Sequence, residues 1–309
     1  MKRVSMVMIL SLLVVPFSLG QATAPAQARV ESNIIYGMYS GLALLLDVHH
    51  PEKPNGYAIL FIPGSGWHAS LSYEAGQLKD AVKDPFHGEF FQPLVSSGYT
   101  VFVINHRAAP RFRYPAAVED AQRAVRFIRH NAKRFGINPD RIGGVGYSSG
   151  GHLVSMLGVL DGKGDSTDTD PVNRESAKLQ SVVAGGAPSD LLGPLNNNSA
   201  PVVASFLGLV VPPWQRGKTS EEYKTYREAS PVHHVTPDDA PLLLIHGDAE
   251  DVIPFQQAEL MQEAVKKVGV PVRLLRIPGG KHVDLRTKDA PDYLGEMIHW
   301  HDQHLRRAK

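Results

Sequence analysis

Residues 141–157 read Arg141-Ile-Gly-Gly-Val-Gly-Tyr-Ser-Ser-Gly-Gly-His-Leu-Val-Ser-Met-Leu157, and this stretch decides the fold. Its first five residues form a strand-like apolar run, and Gly151 onward a helix-like one. Between them lies Gly146-Tyr-Ser-Ser-Gly150, a G-x-S-x-G pentapeptide. A serine at the tip of such a strand-to-helix turn holds a strained backbone and points its hydroxyl out above the sheet. Gly146 and Gly150 let strand and helix pack close, where a β-carbon would collide. Ser148 is therefore the candidate nucleophile. The rest of the chain must supply a base, an acid and donors for a developing oxyanion.

Outward from this turn, apolar runs alternate with helical patterns. The strand candidates are Ala43–Val48, Ala58–Ile62, Thr100–Asn105, Arg141–Gly146, Ser181–Gly185, Leu242–His246 and Val272–Ile277. Alternation of this kind predicts an α/β fold, a mainly parallel central sheet with helices on both faces. Val118, Ala121, Val125, Ile128 and Ala132 follow the helical i, i+3/i+4 spacing and predict one helix over Pro115–Phe135. A second helix is predicted from about Phe255 to Val268, stopped by Gly269. Two stretches break the rhythm. Residues 161–180 read as a solvated acidic loop; Asp161, Asp165, Asp168 and Asp170 lack the glycine and terminal glutamate of a calcium loop, so no metal is expected. Residues 195–227 mix Pro, Asn and an apolar patch, and stand where a small cap or lid would be inserted over a site.

The 309 residues, 43% hydrophobic, suffice for one large domain, taken as 29–309. Net charge is +1, which leaves no electrostatic footprint for nucleic acid. Cysteine is absent, which removes thiolate catalysis, disulfides and cysteine zinc sites. Lys2 and Arg3, the apolar run Val4–Leu19 and Ala26-Gln-Ala28 have the layout of a cleaved signal peptide over residues 1–28. The apolar run is shorter than the roughly 20 residues of a membrane span and is broken by Pro16, so no stable membrane anchor is expected. The expectation is a secreted or periplasmic protein. No Walker-type loop and no G-x-G-x-x-G after a strand appears, so no cofactor is implied.

The candidate base is His282. It follows the strand Val272–Ile277 in the glycine-rich run Pro278-Gly-Gly-Lys-His282, at the sheet edge toward which Ser148 points. That position separates it from the rest of the 14 histidines. His152, though near Ser148 in sequence, sits on the departing helix and faces away. The acid should follow the preceding strand, where His246-Gly-Asp-Ala-Glu-Asp251 offers Asp248, Glu250 and Asp251. For the oxyanion, the N–H groups of Gly64, Ser65 and Gly66 in Pro63-Gly-Ser-Gly-Trp67 are candidates, with that of Ser149. Trp67 is a candidate for substrate contact.

The blocks Asn105-His-Arg-Ala-Ala-Pro110, Tyr114-Pro-Ala-Ala-Val-Glu-Asp120, Phe135-Gly-Ile-Asn-Pro-Asp-Arg-Ile142 and Gly146-Tyr-Ser-Ser-Gly-Gly-His-Leu153 resemble the α/β-hydrolase superfamily. They are most similar to its carboxylesterase/hormone-sensitive-lipase-like branch, and especially to bacterial acetyl-xylan and feruloyl esterases. The likeness runs from about Tyr36 to His282. It implies Ser148 as nucleophile, His282 as base, and an acid slot three residues after His246-Gly247. That slot holds Glu250, usually aspartate in the family, with Asp251 beside it; Glu250 is favoured and Asp251 kept close behind. The usual His-Gly-Gly-Gly-Trp is Pro63-Gly-Ser-Gly-Trp67 here, a departure that bears on substrate preference more than on hydrolysis. The resemblance implies a serine esterase acting on short-chain acyl or carbohydrate-linked esters. Two other readings stand beside it. A prolyl-oligopeptidase-type peptidase shares the elbow, but usually carries a large N-terminal propeller, for which the residues before the first strands leave no room. A non-catalytic binding protein of the same fold would typically lack one member of the constellation.

Overall fold

The computed structural model describes residues 29–196, 199–209 and 218–306. The expected signal peptide and part of the expected cap lie outside the described residues. The runs read as strands form β2 (Leu42–His50), β3 (Ala58–Ile62), β4 (Thr100–Ile104), β5 (Ile142–Tyr147), β6 (Ser181–Gly185), β7 (Leu242–Gly247) and β8 (Val272–Ile277). Ahead of them runs β1 (Arg29–Tyr39), which the sequence did not signal. It is mostly exposed, pairs on one side only, and has register shifts at Glu31/Ile34 and Ile35/Gly37. An edge strand needs no buried apolar run, so periodicity leaves little trace of it.

The strand order is β1-β2-β4-β3-β5-β6-β7-β8. β1, β2 and β4 pair antiparallel, and every pair from β4 onward is parallel. β3 through β7 are buried along their whole length, as expected of parallel strands covered on both faces.

Alternate strand residues feed two cores. Leu60, Ile62 and Leu244 face α2 (Ala116–His130), α4 (Ser149–Val159) and α7 (Gln256–Lys267). Ile59, Phe61 and Ile245 face α1 (Pro85–Ser96) and α8 (Tyr293–Leu305). The single helix expected over Pro115–Phe135 is divided. α2 ends at Asn131, whose side chain donates to the Phe127 carbonyl, and a short α3 (Ala132–Phe135) follows. Within the cap stretch lie α5 (Ser199–Leu207) and α6 (Glu221–Glu228). In the acidic loop, Asp165, Asp168 and Asp170 bond Thr167, Asn173 and Val172 and so build turns.

Ser148 follows β5, Glu250 follows β7 and His282 follows β8. Because these three strands are parallel, all three residues emerge at the carboxyl edge of the sheet, where open α/β sheets place their crevices.

Candidate active site

Ser148 has φ 54° and ψ −124°, a backbone state that L-residues avoid, at the junction of β5 and α4. The neighbouring glycines are what make the turn possible. A β-carbon on Gly146 would run into the Gly150 carbonyl, and one on Gly150 into the carbonyl of Ile62.

Ser148 Oγ lies 3.0 Å from His282 Nε2, and His282 Nδ1 lies 3.0 Å from Glu250 Oε2. A carboxylate only accepts, so Nδ1 carries the proton and Nε2 is left to accept from the serine hydroxyl. The Glu250 side chain is fully buried, and its Oε1 accepts the N–H groups of Val252 (2.8 Å) and Ile253 (3.2 Å). His246, at the end of β7, steadies the same loop through Nε2 to the Ile253 carbonyl, 2.8 Å. Burial holds the His246 pKa below the usual imidazole value, so it serves as a neutral donor there.

The three carboxylates of this region have separate places. Glu250 meets the histidine. Asp251 is exposed and touches the cap stretch through its carbonyl, which accepts from Asn196 Nδ2 at 2.7 Å. Asp248 binds Arg276 Nε (2.8 Å) and Gly279 N (2.6 Å) and closes the turn after β8.

The four expected oxyanion donors divide. Gly64 N–H donates to His87 Nε2 (3.0 Å) and Ser65 N–H to Ser149 Oγ (2.9 Å), so both are committed to holding the turn. A backbone N–H bonded within the protein is not aimed at a ligand in this structure, which sets these two apart from the other two expected donors. Gly66, at φ 62°, lines the cavity beside Ser148, and its N–H has no acceptor among the described residues. Ser149 opens α4, so its N–H has no carbonyl one helical turn before it.

That cavity measures about 190 Å³ and is lined by Gly66, Trp67, Val202, Val203 and Ile253 together with Ser148 and His282. A larger hollow of about 910 Å³ near β1, β2 and α1 contains none of these residues. Trp67 forms a wall. It stacks on Phe206 of α5 (4.4 Å between ring centres, 11° between planes), and its Nε1 donates to His152 Nδ1 at 3.1 Å. His152 in turn donates from Nε2 to the Ala229 carbonyl, 2.7 Å. As expected, His152 does not serve Ser148; its role in fixing Trp67 was not legible from the sequence. Neither was that of His87, which joins the site from α1, far from every motif in the chain.

The described residues hold no cluster of three metal-ligating side chains, and none of their helices is long and apolar enough to cross a membrane.

A mainly parallel sheet with an elbow serine, a histidine after the last strand and a carboxylate after the preceding one defines an α/β-hydrolase. Over residues 46–265 the chain matches the BD-FAE family model, and it belongs to that family. A truncated carbohydrate esterase from gut microbiota superposes with a TM-score of 0.74 at 25% identity, covering 92% of this chain and 99% of that one. Esterase LipC of Mycobacterium tuberculosis is 28% identical over 257 residues, 81% of this chain and 58% of its own length. An acetylxylan esterase of Xylanibacter ruminicola is 33% identical over 111 residues, 36% of this chain and 20% of its own. The chain thus spans little more than half the length of LipC, and less of the acetylxylan esterase.

Proposed function

We propose that this protein hydrolyses carboxylic esters through an acyl-enzyme formed on Ser148. The observation that carries the reading is the unbroken run of hydrogen bonds from Ser148 Oγ through His282 to the buried Glu250. Ser148 attacks the ester carbonyl while His282 Nε2 takes its proton. Glu250 holds the imidazole in the required tautomer and stabilises the imidazolium. The N–H groups of Gly66 and Ser149 receive the developing negative charge. His282 then returns the proton to the leaving alcohol, and water repeats the sequence to release the acid.

The apolar cavity of about 190 Å³ accommodates a short acyl group. Carbohydrate alcohols are the proposed partners, a choice supported by the names of the gut carbohydrate esterase and the acetylxylan esterase. We also propose export, on the basic, apolar and small-residue layout of residues 1–28. Mass spectrometry of the N-terminus after expression in a secreting host should give a chain starting near Arg29.

The test of the activity is hydrolysis of p-nitrophenyl acetate, butyrate and octanoate, and of acetylated xylo-oligosaccharides, by the wild type and Ser148→Ala. Activity on the short esters that falls by about 10⁴-fold or more in the variant is expected. No hydrolysis by folded wild type, or equal rates in both, would overturn the reading.

A further inference from the structure

The turn that carries Gly66 is tied to the opposite side of the sheet by one side chain. His87 lies in the first turn of α1, a helix that packs in the core facing away from α4. Its backbone N–H donates to Oδ1 of the N-cap residue Asp84, 2.9 Å, and its Nδ1 meets Oδ2 of the same carboxylate at 2.7 Å. The far ring nitrogen, Nε2, accepts the N–H of Gly64 at 3.0 Å. An atom that accepts an N–H carries no proton. The imidazole is therefore neutral, with its proton on Nδ1 and directed at Asp84. The ring is mostly buried, with 14% of its side chain exposed, and lies edge-on to Phe86.

Gly64 is the point where this connection meets the chemistry. A β-carbon there would stand 2.8 Å from the Tyr147 carbonyl and 3.0 Å from Ser148 Cβ, so its backbone rests directly against the nucleophile. The next N–H, that of Ser65, is fixed to Ser149 Oγ, and Gly66 and Trp67 then turn sharply at φ 62° and 58°. Two adjacent peptide groups are thus each pinned by a single acceptor. Their orientation sets where the following N–H points.

We propose that His87, oriented by Asp84, is a positioning residue for ester hydrolysis: by accepting the Gly64 N–H it fixes the turn that presents Gly66 to the oxyanion. This rests on the esterase reading above. His87 touches no reacting atom, and it acts only through the backbone of residues 64–66. A hydrogen-bond acceptor at the position of Nε2 is what the role requires, and an imidazole as such is not.

That requirement separates positioning from packing. In His87→Gln the side-chain oxygen reaches the same place and accepts the same N–H. In His87→Met the space is filled without a comparable acceptor. With p-nitrophenyl acetate, His87→Met should lower kcat about 10- to 100-fold with KM within about twofold, since a displaced donor is felt mainly in the transition state. His87→Gln should recover kcat to within a few-fold of wild type. Thermal melting of each variant establishes that it is folded. Wild-type kcat in a folded His87→Met, or a Gln variant as impaired as the Met variant, would overturn the proposal. Hydrogen exchange at the Gly64 amide provides a readout that needs no turnover. Protection should be lost in the Met variant and return in the Gln variant, and unchanged protection in both overturns the proposal even if the wild type hydrolyses no ester.

Discussion

Two of the fully buried histidines, His152 and His301, lie on opposite sides of the sheet and are held in opposite ways. His152, on α4, makes a bond with each ring nitrogen, to Trp67 and to Ala229. His301, on α8, makes none with either nitrogen among the described residues, and its ring fills the space over Gly143, which has no β-carbon to occupy it. Burial drives both below the usual imidazole pKa, His152 to about 4 and His301 to about 3. The same residue type serves as a polar connector where the α4 face supports the site, and as a filler of volume on the α8 face. Ser148, His282 and Glu250 are likewise joined end to end by hydrogen bonds, the directional holding that the proposed chemistry needs, whereas at His301 shape suffices.

The strongest way to test the contrast is to break a bonded group on the site side. Glu250→Gln keeps the shape and removes the charge that selects the His282 tautomer. It should lower kcat by roughly 10⁴-fold. The exposed Asp251→Asn should stay within a few-fold of wild type, and the ratio of the two rates identifies the acid directly.

Next in size is His152→Leu. It strands the Trp67 N–H and the Ala229 carbonyl in a dry interior, each at a cost of about 1–3 kcal/mol. Urea unfolding should show a loss of roughly 2–6 kcal/mol, checked by the midpoint at constant m-value.

The smallest effect at neutral pH belongs to His301→Leu, which removes two unpartnered nitrogens at nearly constant volume. Its stability near pH 7 should match or slightly exceed that of wild type. The difference opens in acid. An unfolded histidine takes up its proton near pH 6.5, while native His301 stays neutral to about pH 3. Between those values the unfolded state binds more protons, so stability falls as pH falls, by about 1.4 kcal/mol per pH unit for this group. His301→Leu should lose that slope while wild type keeps it. A variant as acid-sensitive as wild type would show that His301 is already charged or bonded in the native state, and the contrast with His152 would collapse.

The parts of the protein written in contiguous sequence were the legible ones. The strands beside the elbow are whole apolar runs between turns, and the elbow itself is five adjacent residues whose glycines have a steric reason. Chain order then pointed to His282 and to a carboxylate after β7. The edge strand β1 escaped because most of its residues face solvent. The break at Asn131 escaped because apolar spacing continues across it. The internal bonds of the Gly64 and Ser65 N–H groups were not legible because small residues after β3 mark a tight turn without saying which of its N–H groups the protein itself uses.

By itself, then, the sequence determined the α/β layering, the place of Ser148, and a histidine and a carboxylate at the ends of successive strands. Those features follow from hydrophobic periodicity and from local steric demands, which act between neighbours in the chain. Only the tertiary structure decided that Glu250 rather than Asp251 meets His282, that His152 fixes Trp67, and that His87 reaches Gly64 from α1. These are matters of hydrogen-bond direction over distances of about 3 Å, between residues as far apart as Ser148 and His282. No periodicity encodes such a meeting; it exists only once the two cores have packed and brought the strand ends together.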